Sequence, residues 1–258
     1  MAVDLFSEIV RVRRERIPSA LATIVGTLGS TPGKLAQRML VLGDGTTRGT
    51  VGGGCVEADV IQAARSVIDT GLARKMKFVL AGEEAERTGL ACGGQVEIMI
   101  EALLEPHLFI VGCGHIGQRL AALAKPCGFR VTAVDDRPEY ANRERFPEAD
   151  DVHCIPFESL AATVKVPQSG YIVVVTRGHK FDFDGLKWAL STPARFVGVV
   201  GSKSKRLQFL DQLRQEGFSE PALASVHIPV GLPIGAESPD EIAVSIVGAL
   251  IAKKRLGQ

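Results

Sequence analysis

The chain has 258 residues, of which 46% are hydrophobic and 23% are charged, values that are ordinary for a globular protein. Thirty basic residues against 29 acidic ones leave a net charge of +1, which argues against a protein that binds nucleic acid electrostatically. No apolar run is long enough to cross a membrane, and residues 1–16 lack the apolar centre of a signal peptide, so we expect a cytoplasmic protein.

The first half of the chain is predicted to form a small N-terminal α/β domain over residues 1–105. Residues 1–16 predict a helix with Leu5, Ile9 and Val12 on one face. A second helix is expected over residues 57–69, and residues 82–94 are expected to form an exposed loop. The strand-like runs of this half are residues 20–25, 38–42, 47–51, 75–80 and 96–102.

Two glycine-rich turns of this half are candidate binding elements. Backbone without side chains at the start of a helix can surround an anion, because the first N–H groups of the helix are free. The residues singled out are Gly52, Gly53, Gly54, Cys55 and Glu57 on the first turn, and Cys92, Gly93 and Gly94 on the second.

The five cysteines are scattered and include no C-x-x-C pair, so we expect neither a disulfide framework nor a structural zinc site. Cys113, Cys127 and Cys154 are interpreted as small buried hydrophobic residues. Cys55 and Cys92 are flanked by glycine instead, which favours a functional role for their thiols.

The second half, residues 106–258, is predicted to form a Rossmann-like domain. Its strand-like runs alternate with helical segments, which indicates a parallel sheet with helices on both faces. The predicted strands are residues 108–112, 130–135, 151–155, 171–176 and 196–201.

The first of these strands runs into the pattern G-x-G-x-x-G, formed by Gly112, Gly114 and Gly117 and followed by a helix. This pattern is typical of a turn that brings a pyrophosphate against the start of a helix, where His115 also lies. Asp135 closes the next strand, eighteen positions after Gly117, where an acidic residue would bind a ribose hydroxyl. Because the Rossmann fold also occurs without a dinucleotide, NAD(P) binding stays open at this point.

Other strand ends of this half also carry polar side chains. Arg177 and His179 follow the fourth strand, and Ser202 and Lys205 follow the fifth, where open α/β sheets bind their ligands. The alternative is that these residues only begin helices or lie in solvated turns. Further on, residues 238–241 have the sequence of a capping box at the start of the last helix.

Together these motifs resemble the xanthine dehydrogenase accessory protein family, the XdhC/CoxI group, from end to end. One departure follows Pro32, where the family has an arginine and this chain has Gly33, so Lys34 or Arg38 would take its place. The matching stretches are residues 29–32, 52–57, 92–94, 112–117, 135–137, 145–147, 176–179, 198–202 with Lys205, and 233–243.

The resemblance implies a non-catalytic maturation factor. Members bind molybdenum cofactor, protect it while its terminal sulfur is installed, and deliver it to a molybdenum hydroxylase such as xanthine dehydrogenase. It further implies a cysteine desulfurase as partner, and we expect a homodimer. Because a thiolate suits a soft metal, we expect Cys92 or Cys55 to contact molybdenum or its sulfur, with Cys92 as the predicted molybdenum contact. The alternatives are an NAD(P)-dependent oxidoreductase that uses residues 112–117 with Asp135, and a purely structural partner of a dehydrogenase. Which half holds the pterin is left open.

Overall fold

The computed structural model describes residues 4–80, 93–103 and 105–257. The chain divides into two compact units, Met1–Leu104 and Glu105–Gln258. The elements of the first unit are α1 Leu5–Glu15, β1 Ser19–Leu28, β2 Arg38–Leu42, β3 Thr47–Gly49, α2 Gly54–Thr70, β4 Arg74–Val79 and β5 Gln95–Ala102.

The elements of the second unit alternate between strand and helix. They are β6 His107–Val111, α3 His115–Ala124, β7 Arg130–Asp135, β8 Asp151–Cys154, α4 Leu160–Thr163, β9 Gly170–Val174, α5 His179–Leu190, β10 Phe196–Val199, α6 Lys203–Gln215, α7 Glu220–Ala224, β11 Val226–His227 and α8 Pro239–Leu256.

The first unit is built on a five-stranded antiparallel sheet with the order β3-β2-β1-β5-β4. Successive side chains of a strand point to opposite faces, and β2 shows this clearly. Met39 and Val41 join the core that α2 covers, whereas Leu40 and Leu42 pack with Val12 of α1. The two faces of the sheet are therefore each covered by one helix.

The second unit is a six-stranded parallel sheet with the order β8-β7-β6-β9-β10-β11. Numbered from β6 along the chain, this is the order 3-2-1-4-5-6 of the doubly wound Rossmann fold. Leu108 and Ile110 of β6 face one core, and Phe109 and Val111 face the other. The predicted fold class, with helices on both faces of a parallel sheet, is confirmed.

After β6 the chain adds β7 and β8 toward one edge of the sheet. It then returns to place β9 against the other side of β6, and the remaining strands extend toward the opposite edge. Helices after β6 and β9 therefore leave on opposite faces, and a crevice opens beyond the carboxyl ends of these two neighbouring strands. The glycine pattern of residues 112–117 lies at the end of β6. This switch point positions the candidate site of the second unit.

Several local predictions are confirmed and one is wrong. Ser202 accepts a hydrogen bond from Lys205 N at the start of α6, and Ser238 and Glu241 form the predicted capping box of α8. Cys113 is buried as predicted and Cys127 is half-buried, but the interpretation of Cys154 as buried is wrong, because Cys154 is exposed. Cys154 belongs to β8, which is an edge strand of the sheet. This strand has a neighbouring strand on one side only, so its side chains are less covered than those of a central strand.

None of the helices in the described part of the chain is both long enough and apolar enough to cross a membrane.

Candidate functional site at the switch point of the parallel sheet

The three glycines of the G-x-G-x-x-G pattern have three different environments. Gly112 has a φ of 114°, and a Cβ there would clash with the carbonyl oxygen of Val175. A Cβ on Gly117 would clash with the carbonyl oxygen of Gly112, so the helix can approach the loop only without a side chain. A Cβ on Gly114 would meet nothing within 4 Å. Two glycines thus shape the turn, and the third leaves its outer face open.

Two helices begin at the switch point without a side-chain cap from any described residue. Gly114 precedes α3, which follows β6, and Gly178 precedes α5, which follows the neighbouring strand β9. By contrast, the starts of α6 and α8 are capped by Ser202 and Ser238. The first N–H groups and the positive dipole ends of α3 and α5 are thus available to an anion at this edge of the sheet.

Asp135 is the last residue of β7, as the sequence analysis expected, and its carboxylate bonds to groups of the protein itself. Its side chain is 1% exposed, and Oδ2 accepts a hydrogen bond from Cys113 N at 2.8 Å. The same carboxylate pairs with Arg137 through Nε at 2.9 Å and Nη2 at 3.1 Å. In the structure Asp135 therefore holds the glycine loop, and its contact with a ribose hydroxyl stays a prediction.

The next residue, Asp136, pairs with Arg177 through both guanidinium Nη atoms, with Nη2 to Oδ2 at 2.8 Å. The hydrogen bonds from Arg177 lower the pKa of Asp136 to about 2. The guanidinium of Arg177 also lies 4.2 Å from the centre of the Phe181 ring. Sequence analysis proposed Arg177 as a site residue but missed Asp136, whose signal was a second carboxylate directly after a strand.

Lys205, predicted to contact a ligand, makes its contacts in the structure with groups of the protein itself. Its ammonium pairs with Asp182, whose side chain is 7% exposed, and donates to Val200 O at 2.9 Å. Asp182 also accepts from Thr176 N at 3.0 Å and from the Thr176 hydroxyl at 2.7 Å. Asp182 therefore ties together the segments that follow β9 and β10, a role that sequence analysis did not assign to it.

His115 and His179 are exposed and are the first residues of α3 and α5. The ring of His179 lies 4.6 Å from that of Phe209, centre to centre. The structure thus gathers most of the predicted residues of this unit at one edge of the sheet: Gly112, Gly114, His115, Gly117, Asp135, Arg177 and His179, with Ser202 and Lys205 after the next strand, β10.

In the first unit, Glu57 is turned toward its own glycine turn. Its Oε1 accepts from Val51 N at 3.0 Å, from Gly53 N at 3.1 Å and from the Thr50 hydroxyl. Gly53 itself has a φ of 83°, and a Cβ there would meet nothing within 4 Å. Glu57 therefore positions the turn, whereas the open face belongs to the glycines and to the exposed thiol of Cys55.

The two glycine turns of the first unit both contact residues 29–33. A Cβ on Gly52 would lie 3.2 Å from Gly33 N, and one on Gly29 would lie 3.4 Å from Gly93 O. A Cβ on Gly94 would clash with the carbonyl oxygen of Ser30. Three glycine-containing segments thus meet in one place, and their backbones approach so closely that side chains are excluded.

Cys92, the proposed molybdenum contact, falls within residues 81–92, which lie outside the described residues. Its neighbour Gly93 is described and donates to Leu80 O at 2.9 Å. Across the ranges that the structure does describe, no group of three or more His, Cys, Asp or Glu side chains could hold a metal ion.

The thiols differ in their expected reactivity. Burial raises the pKa of Cys113 well above its usual range, whereas Cys55 and Cys154 are exposed. Since the thiolate is the nucleophile, iodoacetamide is expected to modify Cys55 and Cys154 in the native protein and Cys113 only after unfolding. Peptide mass spectrometry over a time course measures this, and equal native rates for Cys113 and Cys154 would contradict the burial argument.

The order 3-2-1-4-5-6 and the glycine turn agree with the comparison to known families. A profile described as the XdhC Rossmann domain matches residues 108–250, more than half of the chain. The chain belongs to the XdhC family. A second profile, the XdhC and CoxI family, matches residues 12–79 in the first unit. The resemblance inferred from the motifs is therefore confirmed.

Three curated relatives illustrate the family. Uncharacterized protein YqeB of Escherichia coli is 32% identical over 98% of this chain and 46% of its own length. A probable xanthine dehydrogenase subunit of Bacillus subtilis is 32% identical over 58% of this chain and 44% of its own. Molybdenum cofactor insertion chaperone PaoD of Escherichia coli is 22% identical over 93% of this chain and 84% of its own. The chain thus spans about half the length of the first two relatives.

The family fold is also present in a crystal structure described as a xanthine dehydrogenase from Bacillus halodurans. It matches with a TM-score of 0.52 and 22% identity, and the match covers 95% of this chain and 94% of that one. At this identity the comparison supports the fold alone.

Proposed function

We propose that this XdhC-family chain is an accessory protein that binds molybdenum cofactor as cargo, supports its sulfuration and delivers it to a molybdenum hydroxylase such as xanthine dehydrogenase. The names of two relatives support the proposal, one as a molybdenum cofactor insertion chaperone and one as part of a probable xanthine dehydrogenase. The observation that carries it is the pair of uncapped helix starts beside the open face of Gly114.

The residues present fit such a cargo. Molybdenum cofactor carries a phosphate, a pterin and a metal held by two sulfurs. The free N–H groups of α3 and α5 suit the phosphate. A thiolate is the side chain that best suits the soft metal centre, and the exposed thiol of Cys55 or that of Cys92 would supply it.

The NAD(P)-dependent oxidoreductase is the less supported alternative. It needs the carboxylate at the end of β7 to accept hydrogen bonds from a ribose, and in the structure Asp135 accepts them from Cys113 N and Arg137.

Binding separates these functions directly. The purified chain is incubated with released molybdenum cofactor or with NAD(H), passed through a gel-filtration column, and assayed for molybdenum, pterin fluorescence and nicotinamide absorbance. We expect molybdenum and pterin to elute with the protein and NAD(H) to elute free. Retention of NAD(H) without pterin would favour the oxidoreductase.

The partners are tested with the same material. Loaded protein is expected to reconstitute an apo-hydroxylase, and a cysteine desulfurase is expected to raise the activity recovered. Light scattering is expected to show a homodimer of the 27.5 kDa chain. Reconstitution no faster than with free cofactor would contradict delivery.

Cys92→Ala is expected to lower cofactor binding, and with it the activity of the reconstituted hydroxylase, because no other common side chain binds molybdenum or its sulfur as strongly. Stability should change little. Cys127→Ala is the matched control, since Cys127 is half-buried against the core and should affect stability rather than binding. Wild-type binding and delivery by Cys92→Ala would show that this thiol is not a ligand.

A further inference from the structure

An ion pair spans the crevice at the switch point. Asp136 directly follows β7, and Arg177 lies three residues after the end of β9. Strand β6 lies between these two strands, which places them about 10 Å apart, two strand spacings. The pair between Asp136 and Arg177 therefore crosses the end of β6, where the glycine loop begins. The clash that a Cβ on Gly112 would make with Val175 O shows that the segment after β9 runs directly beside this loop.

Two carboxylates and two arginines meet here, but the two pairs are held differently. The inner pair joins Asp135, whose side chain is 1% exposed, to Arg137, and Asp135 also accepts from Cys113 N. The outer pair joins Asp136 and Arg177, whose side chains are 25% and 35% exposed. The two pairs also touch, because Arg137 Nε lies 3.9 Å from Asp136 Oδ1 and Arg177 Nη1 lies 4.0 Å from Asp135 Oδ1. An exposed ion pair contributes little to stability, so the outer pair can open at small cost, and Arg137 then remains beside the carboxylate of Asp136.

We propose that the Asp136–Arg177 pair is a clasp that a phosphate-bearing ligand opens, with Arg177 passing from the carboxylate of Asp136 to the phosphate. A guanidinium binds a phosphate in the same two-pronged way as a carboxylate, and the phosphate carries more charge. The phosphate also gains hydrogen bonds from the uncapped starts of α3 and α5. The Phe181 ring, 4.2 Å from the guanidinium, keeps Arg177 in place while its partner changes.

In this arrangement Asp136 is an internal competitor of the ligand and Arg177 is its phosphate contact. The clasp does not depend on molybdenum, because it concerns only a phosphate group. Removing the carboxylate should therefore tighten phosphate binding, even though it also removes an ion pair.

The test uses inorganic pyrophosphate and AMP as probes, measured by isothermal titration calorimetry on the full chain. Asp136→Asn is expected to bind at least one probe about fivefold more tightly than the wild type, and Arg177→Gln about tenfold more weakly. The matched control is Asp240→Asn, which breaks the exposed pair of Asp240 with Arg119 and should leave binding unchanged. Thermal midpoints of all variants show that each is folded.

A purely structural pair predicts a different result. In that case Asp136→Asn and Arg177→Gln both lower the thermal midpoint. Asp136→Asn then binds the probes as tightly as the wild type or more weakly. Either that outcome or the absence of binding in every variant overturns the clasp. The gel-filtration test of molybdenum cofactor is separate, so failure of the clasp and failure of the proposed function are distinguishable.

Discussion

Gly114→Leu is expected to abolish cofactor retention while the protein stays folded. The backbone of Gly114, with a φ of −68° and a ψ of −168°, is open to any residue, and a Cβ meets nothing within 4 Å. The leucine side chain would instead cover the N–H groups at the start of α3. We expect affinity for molybdenum cofactor to fall about a hundredfold or more, and the thermal midpoint to stay within about 2 °C of the wild type.

Two controls frame this result. Gln212→Leu adds the same side chain to an exposed position of α6, away from the helix start, and should retain the cofactor. Gly117→Val, in the same loop, should do the reverse of Gly114→Leu and lower stability, because its side chain meets the carbonyl oxygen of Gly112. Full retention by Gly114→Leu would place the cofactor elsewhere in the chain.

Asp182→Ala is expected to lower the free energy of unfolding by about 3 kcal/mol. The change leaves the ammonium of Lys205, a side chain that is 16% exposed, without its carboxylate. It also removes the acceptor of Thr176 N and of the Thr176 hydroxyl. Urea unfolding followed by circular dichroism measures the loss.

Asp211→Ala is the matched control, since Asp211 is 68% exposed in its pair with Arg214 and its removal should cost less than about 0.5 kcal/mol. The double variant Asp182→Ala with Lys205→Met should be more stable than Asp182→Ala alone, because it no longer buries an unpaired charge. Equal losses for Asp182→Ala and Asp211→Ala would falsify the structural role of Asp182.

The fold of the second unit could be predicted because its signals are local. Runs such as Leu108–Val111 are fully apolar, as strands buried on both faces must be, and glycines mark the turns between strand and helix. The capping box at Ser238 is likewise contained within four residues. Each of these features depends on neighbours in the chain.

The site could be predicted only in part because its contacts join distant segments. Asp135 and Asp136 are adjacent, and only the packed sheet shows that one faces Cys113 N while the other faces Arg177. Lys205 and Asp182 are 23 positions apart, so nothing local indicates that this lysine is already paired. The spacing of Asp135 was typical of a ribose contact, but spacing does not reveal where a carboxylate points.

The uncapped starts of α3 and α5 also have a consequence for the lifetime of the protein. Without cargo, their N–H groups receive no side-chain acceptor from the described residues, and a bound anion would supply one. A ligand present at about a hundred times its Kd stabilises the folded state by about 2.7 kcal/mol and reduces the unfolded fraction about a hundredfold. Proteases that degrade the unfolded chain would then remove the ligand-free form faster than the ligand-bound one, and the amount of this protein is expected to follow the supply of the proposed cargo.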